Sequence, residues 1–320
     1  GFLDALLAEG TTSAVVFPTV HRASCEALFE AAQARGMRLI AGKVLLDRHA
    51  PADLCDDVDR ARADCEALIA QWHGRGRLAY AVTPRFAPTS SDAQLRMAGE
   101  LLARHAGLYM QTHVAENRDE VRWVAELFPQ ARSYLDVYER FGLLNDRAVL
   151  AHGIWLDDAD RLLLARRGAQ IACSPSSNLF LGSGLFDWRA ADEAGVAVSL
   201  ASDVGGGTAL GMVRTMADAY RVQAMRGLRI TAWTLLHAAT RGAARALRLD
   251  DEIGRIEPGC MADLVVWDWA RGPVQALRQD GARGLHEKCF AWLMMADDRN
   301  RVQTWVAGRP MEQERMHAEA

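Results

Sequence analysis

The sequence predicts an α/β fold built on parallel strands, and three observations support this prediction. Short apolar runs alternate with longer segments whose apolar residues recur at helical spacing. Each of the seven apolar runs is followed by a helical segment, which is the order expected of parallel strands joined by helical crossovers. Half of the 320 residues are hydrophobic, which is ample for a large core.

The predicted elements follow one another in a regular order, after an opening helix with an amphipathic pattern in its first residues. The predicted strands cover residues 13–17, 38–45, 78–82, 109–113, 148–152, 169–173 and 196–200. The predicted helices cover residues 24–35, 53–72, 92–105, 157–167 and 187–194, with two helical pieces between the fourth and fifth strands. Gly36 stands at a usual C-terminal position of a helix.

The number of strands bears on how the sheet closes. A closed barrel of this type needs eight strands, and only seven are counted here. The chain also opens on Gly1, within the helix that would follow a first strand. We therefore expect a (β/α)8 TIM-like barrel that lacks its first strand, and a missing segment upstream. An open doubly wound sheet is the alternative, although residues 205–207 lack both the G-x-G-x-x-G pattern and a P-loop lysine.

The C-terminal part of the chain departs from the regular alternation of strands and helices. Two further helices are predicted over residues 212–225 and 231–247. A turn at residues 253–259, β runs at 262–267 and 302–306, and a helix at 285–295 follow them. We predict a metal-dependent hydrolase barrel over residues 1–250, part of a small accessory β domain with a helix over 251–310, and a polar tail over 311–320.

Composition excludes several classes of function. The formal net charge of -4 shows no basic excess, so nucleic acid is not expected as a partner. The six cysteines are scattered without a C-x-x-C pair, which favours a reducing, cytoplasmic setting over a disulfide framework. No apolar run approaches the ~18 residues of a membrane span, and no signal peptide is visible, so no membrane partner is expected.

Several residues with chemical functions fall where predicted strands end. They are Arg85, Phe86, His113, Glu116, His152 and Asp203. In a parallel barrel these positions share the mouth formed by the carboxyl ends of the strands, where catalytic groups gather. Two histidines and an aspartate suit a zinc-type ion, and a carboxylate three residues past His113 can move protons. For Asp203 a structural role as a helix N-cap is the alternative.

Five motifs resemble those of the guanine deaminases, a family within the amidohydrolase superfamily. They are Thr83–Phe86, Gln111–Glu116, Ala151–Gly153, Cys173–Leu179 and Ser202–Gly207, and relatives of that family share the turn Pro258–Leu264. The resemblance covers nearly the whole chain. It implies a hydrolase with one zinc ion per chain that converts guanine, a small purine, into xanthine and ammonia.

The resemblance also implies roles for the residues at the mouth. His113 and Asp203 are zinc ligands, and Asp203 accepts a proton from the attacking water. Glu116 delivers a proton to the ring nitrogen beside the amino-bearing carbon. His152 hydrogen-bonds the attacking water or the leaving group.

Substrate recognition is assigned by the same resemblance to two neighbouring residues. Arg85 offers a planar donor fork to a purine carbonyl oxygen, and Phe86 stacks on the ring.

One feature departs from the family pattern. The family carries an H-x-H pair of zinc ligands at the end of its first barrel strand, and none of the nine histidines here forms such a pair. This agrees with the strand count, so we expect residues 1–320 alone to be inactive. The alternatives are a related enzyme acting on another purine, pterin or triazine ring, or an inactive barrel fragment serving as a binding module. The sequence does not fix the oligomeric state, and a homodimer is among the states that it allows.

Overall fold

The computed structural model describes residues 1–311, and a parallel sheet with helical crossovers forms its main part. The strands are β1 (Ser13–Val16), β2 (Arg38–Ala41), β3 (Val44–Leu45), β4 (Leu78–Pro84), β5 (Tyr109–Val114), β6 (Ala148–His152), β7 (Gln170–Cys173) and β8 (Ala197–Leu200). They pair in the order β1-β2-β4-β5-β6-β7-β8, with β3 beside β4. The predicted α/β barrel architecture is confirmed. Among the described residues, β1 and β8 are the two edge strands of this sheet.

Helices follow the strands and surround the sheet. They are α1 (Phe2–Ala8), α2 (Arg22–Arg35), α3 (Val58–Trp72), α4 (Asp92–Arg104), α5 (Arg118–Leu127), α6 (Tyr134–Arg140), α7 (Asp158–Arg167), α8 (Pro175–Phe180), α9 (Trp188–Glu193), α10 (Met212–Met225), α11 (Ala232–Ala239), α12 (Arg241–Ala246), α13 (Pro273–Asp280) and α14 (Leu285–Met295). Gly36 ends α2 in the left-handed conformation, as predicted. Within residues 1–311, no helix has the length and apolarity needed to cross a membrane.

The predicted strand over residues 38–45 is interrupted, because Gly42 lies against the backbone of the neighbouring strand. A Cβ atom at Gly42 would stand 1.7 Å from the carbonyl oxygen of Ala81. Only glycine allows this approach, so the strand divides into β2 and β3 on either side of residues 42–43.

Two helix predictions were wrong, one at its start and one in its middle. The helix predicted from residue 53 begins at Val58, because the Asp57 side chain caps it by accepting a hydrogen bond from the Arg60 N–H. The helix predicted over residues 231–247 divides at Thr240. The Thr240 hydroxyl donates to the Leu236 carbonyl oxygen at 2.6 Å and so competes with the backbone hydrogen bond of the helix.

A second, antiparallel sheet lies in the C-terminal part, as predicted. It pairs β9 (Leu264–Trp267), β10 (Arg301–Val306) and β11 (Arg309–Pro310) in the order β11-β10-β9. The Thr304 hydroxyl of β10 donates to the Leu7 carbonyl oxygen of α1 at 2.9 Å. The division into domains at residues 250 and 310 stays a prediction, and tail residues 312–320 lie outside the described residues.

The core holds the strand ends in place. Most of the largest fully buried side chains come from the strands and helices, and they include Phe29, Leu39, Trp72, Tyr80 and Tyr138. Full burial of one large apolar side chain stabilises a fold by roughly 1.5–3 kcal/mol. This packing fixes the backbone from which the polar side chains at the mouth project.

Candidate active site

The site is built where β5 and β6 end side by side. In the parallel register of these strands, His113 pairs with Ala151 and Val114 pairs with His152. The two histidines are therefore neighbours across the sheet, and their rings stack with centroids 5.4 Å apart and an angle of 25° between the ring planes. The ends of the parallel strands β5 and β6 therefore bring His113 and His152 together, as expected.

His152 lies at the centre of the polar cluster and is 1% exposed. Its Nε2 atom lies 3.7 Å from Oε2 of Glu116 and 3.9 Å from Oδ2 of Asp203. Its Nδ1 atom is 2.8 Å from Oδ1 of Asn178. The cluster therefore joins β5, β6 and the segment after β8, and it contains four of the six residues expected at the mouth.

Three residues of this region adopt the left-handed backbone conformation although none is a glycine. The φ angles are 47° for Ala115, 69° for His152 and 49° for Asp203. Such a conformation costs of order 1–3 kcal/mol for a non-glycine residue and persists where the surroundings enforce it. Here it occurs where β5 and β6 end and just after β8, so the strain is concentrated in the backbone that carries the polar groups.

The imidazole of His113 is oriented by the backbone of the preceding strand end. Its Nδ1 atom lies 2.7 Å from the carbonyl oxygen of Arg85, so this nitrogen donates and Nε2 keeps its lone pair. Burial, reinforced by the neighbouring His152, lowers the pKa of His113 to about 4. A neutral imidazole with a free Nε2 atom is the form in which histidine binds a metal ion.

Arg85 and Phe86 occupy the same mouth. The guanidinium carbon of Arg85 lies 4.5 Å from the centroid of the Phe86 ring, which places the cation over the ring face. Phe86 meets His113 edge-on at a centroid distance of 6.5 Å and Trp123 at 6.3 Å. Arg85 is exposed and Phe86 is half-buried, so both can be reached from the mouth.

Sequence reasoning missed several residues that contact this cluster. The Ser183 hydroxyl donates to Oε1 of Glu116 at 2.8 Å, and Asn178 contacts His152. The ring centroid of Phe17 lies 4.8 Å from that of His113. Asn178 lies in the motif Cys173–Leu179, but the sequence assigned no role to that residue, and no sequence signal pointed to Ser183.

A large cavity borders the cluster on the side of β1 and β8. Its volume is about 1190 Å³, and His113, Asp203 and the half-buried Phe17 line it. In the described part of the chain, no group of three or more His, Cys, Asp or Glu side chains is arranged to hold a metal ion. Because zinc takes at least three protein ligands, His113 and Asp203 fit such a site as two of its ligands and do not complete it.

Comparison with known proteins assigns the chain to a family. A family model described as "Amidohydrolase family" matches residues 1–311. The chain belongs to the amidohydrolase family. This amidohydrolase is 44% identical over 308 residues to guanine deaminase from Escherichia coli K12, covering 96% of this chain and 70% of that protein. The solved structure of E. coli guanine deaminase matches with a TM-score of 0.96 at 43% identity, over 97% of this chain and 73% of that one.

Two further solved structures of similar fold contain a bound ligand or metal. Guanine deaminase from C. acetobutylicum, with guanine bound in its active site, matches this amidohydrolase with a TM-score of 0.90 at 25% identity, over 97% of this chain and 74% of that one. An adenosine deaminase from Xanthomonas campestris with bound zinc matches with a TM-score of 0.83 at 26% identity, over 96% of this chain and 67% of that one. Zinc therefore occurs in a relative of this amidohydrolase.

Proposed function

We propose that this amidohydrolase catalyses the hydrolytic deamination of guanine to xanthine and ammonia. The observation that carries the proposal is the placement of His152 between two carboxylates, 3.7 Å from Glu116 and 3.9 Å from Asp203. The proposal is supported by the 44% identity to E. coli guanine deaminase and by the guanine bound in the C. acetobutylicum enzyme.

Zinc is the cofactor that the proposal requires, with His113 and Asp203 as two of its ligands. Nδ1 of His113 is engaged by the Arg85 carbonyl oxygen, so Nε2 is the nitrogen that can bind the ion. When bound, zinc supplies a Lewis acid that lowers the pKa of water to about 7 and so makes a nucleophile available at neutral pH. The other zinc ligands are not among the residues named above.

Arg85 and Phe86 bind the purine in this proposal. The guanidinium of Arg85 presents parallel N–H donors, which suit the carbonyl oxygen of guanine better than the point charge of a lysine would. The Phe86 ring offers an apolar face to the planar purine. The Arg85 guanidinium lies over the Phe86 ring at 4.5 Å, so both side chains can contact one purine molecule.

The proton transfers are assigned to the carboxylates on either side of His152. Asp203 accepts one proton of the attacking water while the water oxygen bonds to the amino-bearing carbon, and Glu116 protonates the adjacent ring nitrogen. His152 hydrogen-bonds the new oxygen substituent. Asp203 then passes its proton to the amino group, the C–N bond breaks, and ammonia leaves. The proton of the new hydroxyl returns to Glu116, so xanthine forms and both carboxyl groups are restored.

Ammonia release from a panel of rings tests the proposal. The protein as encoded by its gene is assayed with guanine, with other aminopurines, and with pterin and triazine rings, before and after chelation. We expect guanine to have the highest kcat/KM, chelation to abolish ammonia release, and added zinc to restore it. Faster turnover of another ring would assign a different substrate. Undiminished activity after complete removal of metal would refute the proposed chemistry.

A further inference from the structure

The short helix α8 and the turn after it carry two polar side chains that hold groups of the site. Asn178 lies in α8 and is 2% exposed. Ser183 follows the helix, and its backbone N–H donates to the Asn178 carbonyl oxygen at 2.9 Å. Because this backbone hydrogen bond joins the two positions, the segment acts as one support that reaches both His152 and Glu116.

The contact between Asn178 and His152 determines which nitrogen of the imidazole is protonated. Asn178 Oδ1 lies 2.8 Å from Nδ1 of His152, and a carbonyl oxygen can only accept a hydrogen bond. Nδ1 must therefore carry the proton, which leaves Nε2 directed at Glu116 and Asp203. The tautomer of a histidine is generally set in this way by the partner of its other ring nitrogen.

We propose that Asn178 is a positioning residue, which holds His152 as the Nδ1–H tautomer with Nε2 between the two carboxylates. This inference rests on the proposed function, because it assigns a reason for the placement of His152 in guanine deamination. Asn178 itself acts through the imidazole. At 2% exposure no water can replace its amide oxygen without rearrangement of α8.

Kinetics of three variants test the role of Asn178. Asn178→Leu keeps the approximate side-chain volume but removes the acceptor. We expect kcat to fall about 10–100-fold, the range found when side chains that orient the residues of a metal site are replaced. KM for guanine and zinc content should stay at the parent values, because Arg85, Phe86, His113 and Asp203 are untouched. Asn178→Asp retains an acceptor oxygen, so its kcat should exceed that of Asn178→Leu.

Ser176→Ala serves as the matched control for the loss of a buried polar group from α8. Ser176 is 3% exposed, and its hydroxyl has no hydrogen-bond partner within residues 1–311. We expect this variant to keep the parent kcat. Equal kcat values for Asn178→Leu and Ser176→Ala would overturn the proposal, and so would an Asn178→Asp variant no faster than Asn178→Leu.

The tautomer of His152 gives a readout that does not depend on activity. Nitrogen-15 NMR of histidine-labelled protein, with the His152 signal assigned from a His152→Gln variant, should show Nδ1 protonated in the parent protein. In Asn178→Leu this signal should shift towards the other tautomer. A parent protein with the proton on Nε2 would overturn the inference about Asn178. A parent protein that releases no ammonia from guanine would instead overturn the proposed function, and the NMR result would still decide the role of Asn178.

Discussion

The hydroxyl of Tyr138 ties together the strand ends that carry the site, and its removal should lower stability by a predictable amount. This hydroxyl accepts a hydrogen bond from the Ala87 backbone N–H at 2.9 Å and donates to the His113 carbonyl oxygen at 2.8 Å. The Thr112 hydroxyl also approaches it, at 3.1 Å. Tyr138→Phe deletes one oxygen atom and leaves the buried ring in place.

The magnitude follows from the groups that would be left behind. Ala87 is fully buried, so its N–H would lose its partner without gaining water, at a cost of about 1–3 kcal/mol. Loss of the hydrogen bond to His113 adds about 1 kcal/mol. Thr112 adds little, because the Arg85 carbonyl oxygen lies 3.4 Å from its hydroxyl as an alternative acceptor. We therefore expect the free energy of unfolding to fall by about 2–4 kcal/mol.

Urea unfolding of Tyr138→Phe measures this loss, and Tyr134→Phe is the control on the same helix. Tyr134 is 4% exposed, and its hydroxyl contacts neither the Ala87 N–H nor the His113 carbonyl oxygen, which the Tyr138 hydroxyl joins. Its removal should therefore lower the free energy of unfolding by less than the removal of the Tyr138 hydroxyl. A loss below about 0.5 kcal/mol for Tyr138→Phe, the usual range for surface substitutions, would refute the reasoning. Equal losses for the two variants would do the same.

Three further predictions concern single positions. Glu116→Gln should retain zinc and bind guanine, yet lose about 10²–10⁴-fold in turnover, because only the proton carrier is removed. If elemental analysis shows that the variant has lost its metal, Glu116 is a ligand instead. Arg85→Lys should lower kcat/KM for guanine at unchanged zinc content, since the planar donor fork is lost, and an unchanged kcat/KM would leave Arg85 a structural role only. Gly42→Ala should abolish soluble expression, because its Cβ would stand 1.7 Å from the Ala81 carbonyl oxygen; a soluble variant with parent stability would contradict this.

The positions of His113, His152 and Asp203 could be predicted because they depend on topology alone. Parallel strands present their carboxyl ends at one edge, so polar residues at strand ends meet there whatever the details of packing. The same reasoning located Glu116, since a residue three positions past His113 cannot leave that edge. Apolar runs bounded by helical segments were enough to count the strands, and seven of them lie along the sheet path.

The supporting contacts could not be predicted, because they depend on how short segments approach one another. Helix α8 has six residues, too few for a periodic pattern. Asn178 lies in the motif Cys173–Leu179, but nothing in the sequence placed its side chain against His152, and Ser183 lies outside every motif. The left-handed backbone at Ala115 is likewise imposed by the surroundings, because alanine does not favour this conformation. Sequence pattern therefore placed the candidate catalytic groups at one mouth and missed the side chains that contact them.

The buried ion pair between Lys43 and Asp56 offers a last test of how the fold holds its loops. Lys43 is 2% exposed, and its ammonium group donates to the carboxylate of Asp56 in the turn before α3. Burial raises the pKa of Asp56, although the hydrogen bond from Lys43 acts in the opposite direction. With a raised pKa in the folded state, the protonated carboxyl favours the fold, and that contribution is lost as pH rises through the folded pKa.

Burial is the largest influence on the pKa of Asp56, and Lys43 offsets part of it. Removing one partner should be worse than removing both. Asp56→Leu leaves the Lys43 charge buried alone and should cost about 3–5 kcal/mol in the free energy of unfolding. The double variant Lys43→Met/Asp56→Leu should cost less than Asp56→Leu, because no uncompensated charge remains. Urea unfolding of the two single variants and the double variant measures the coupling. If the double variant loses the sum of the two single losses, the pair is not coupled and desolvation is not the dominant effect at Asp56.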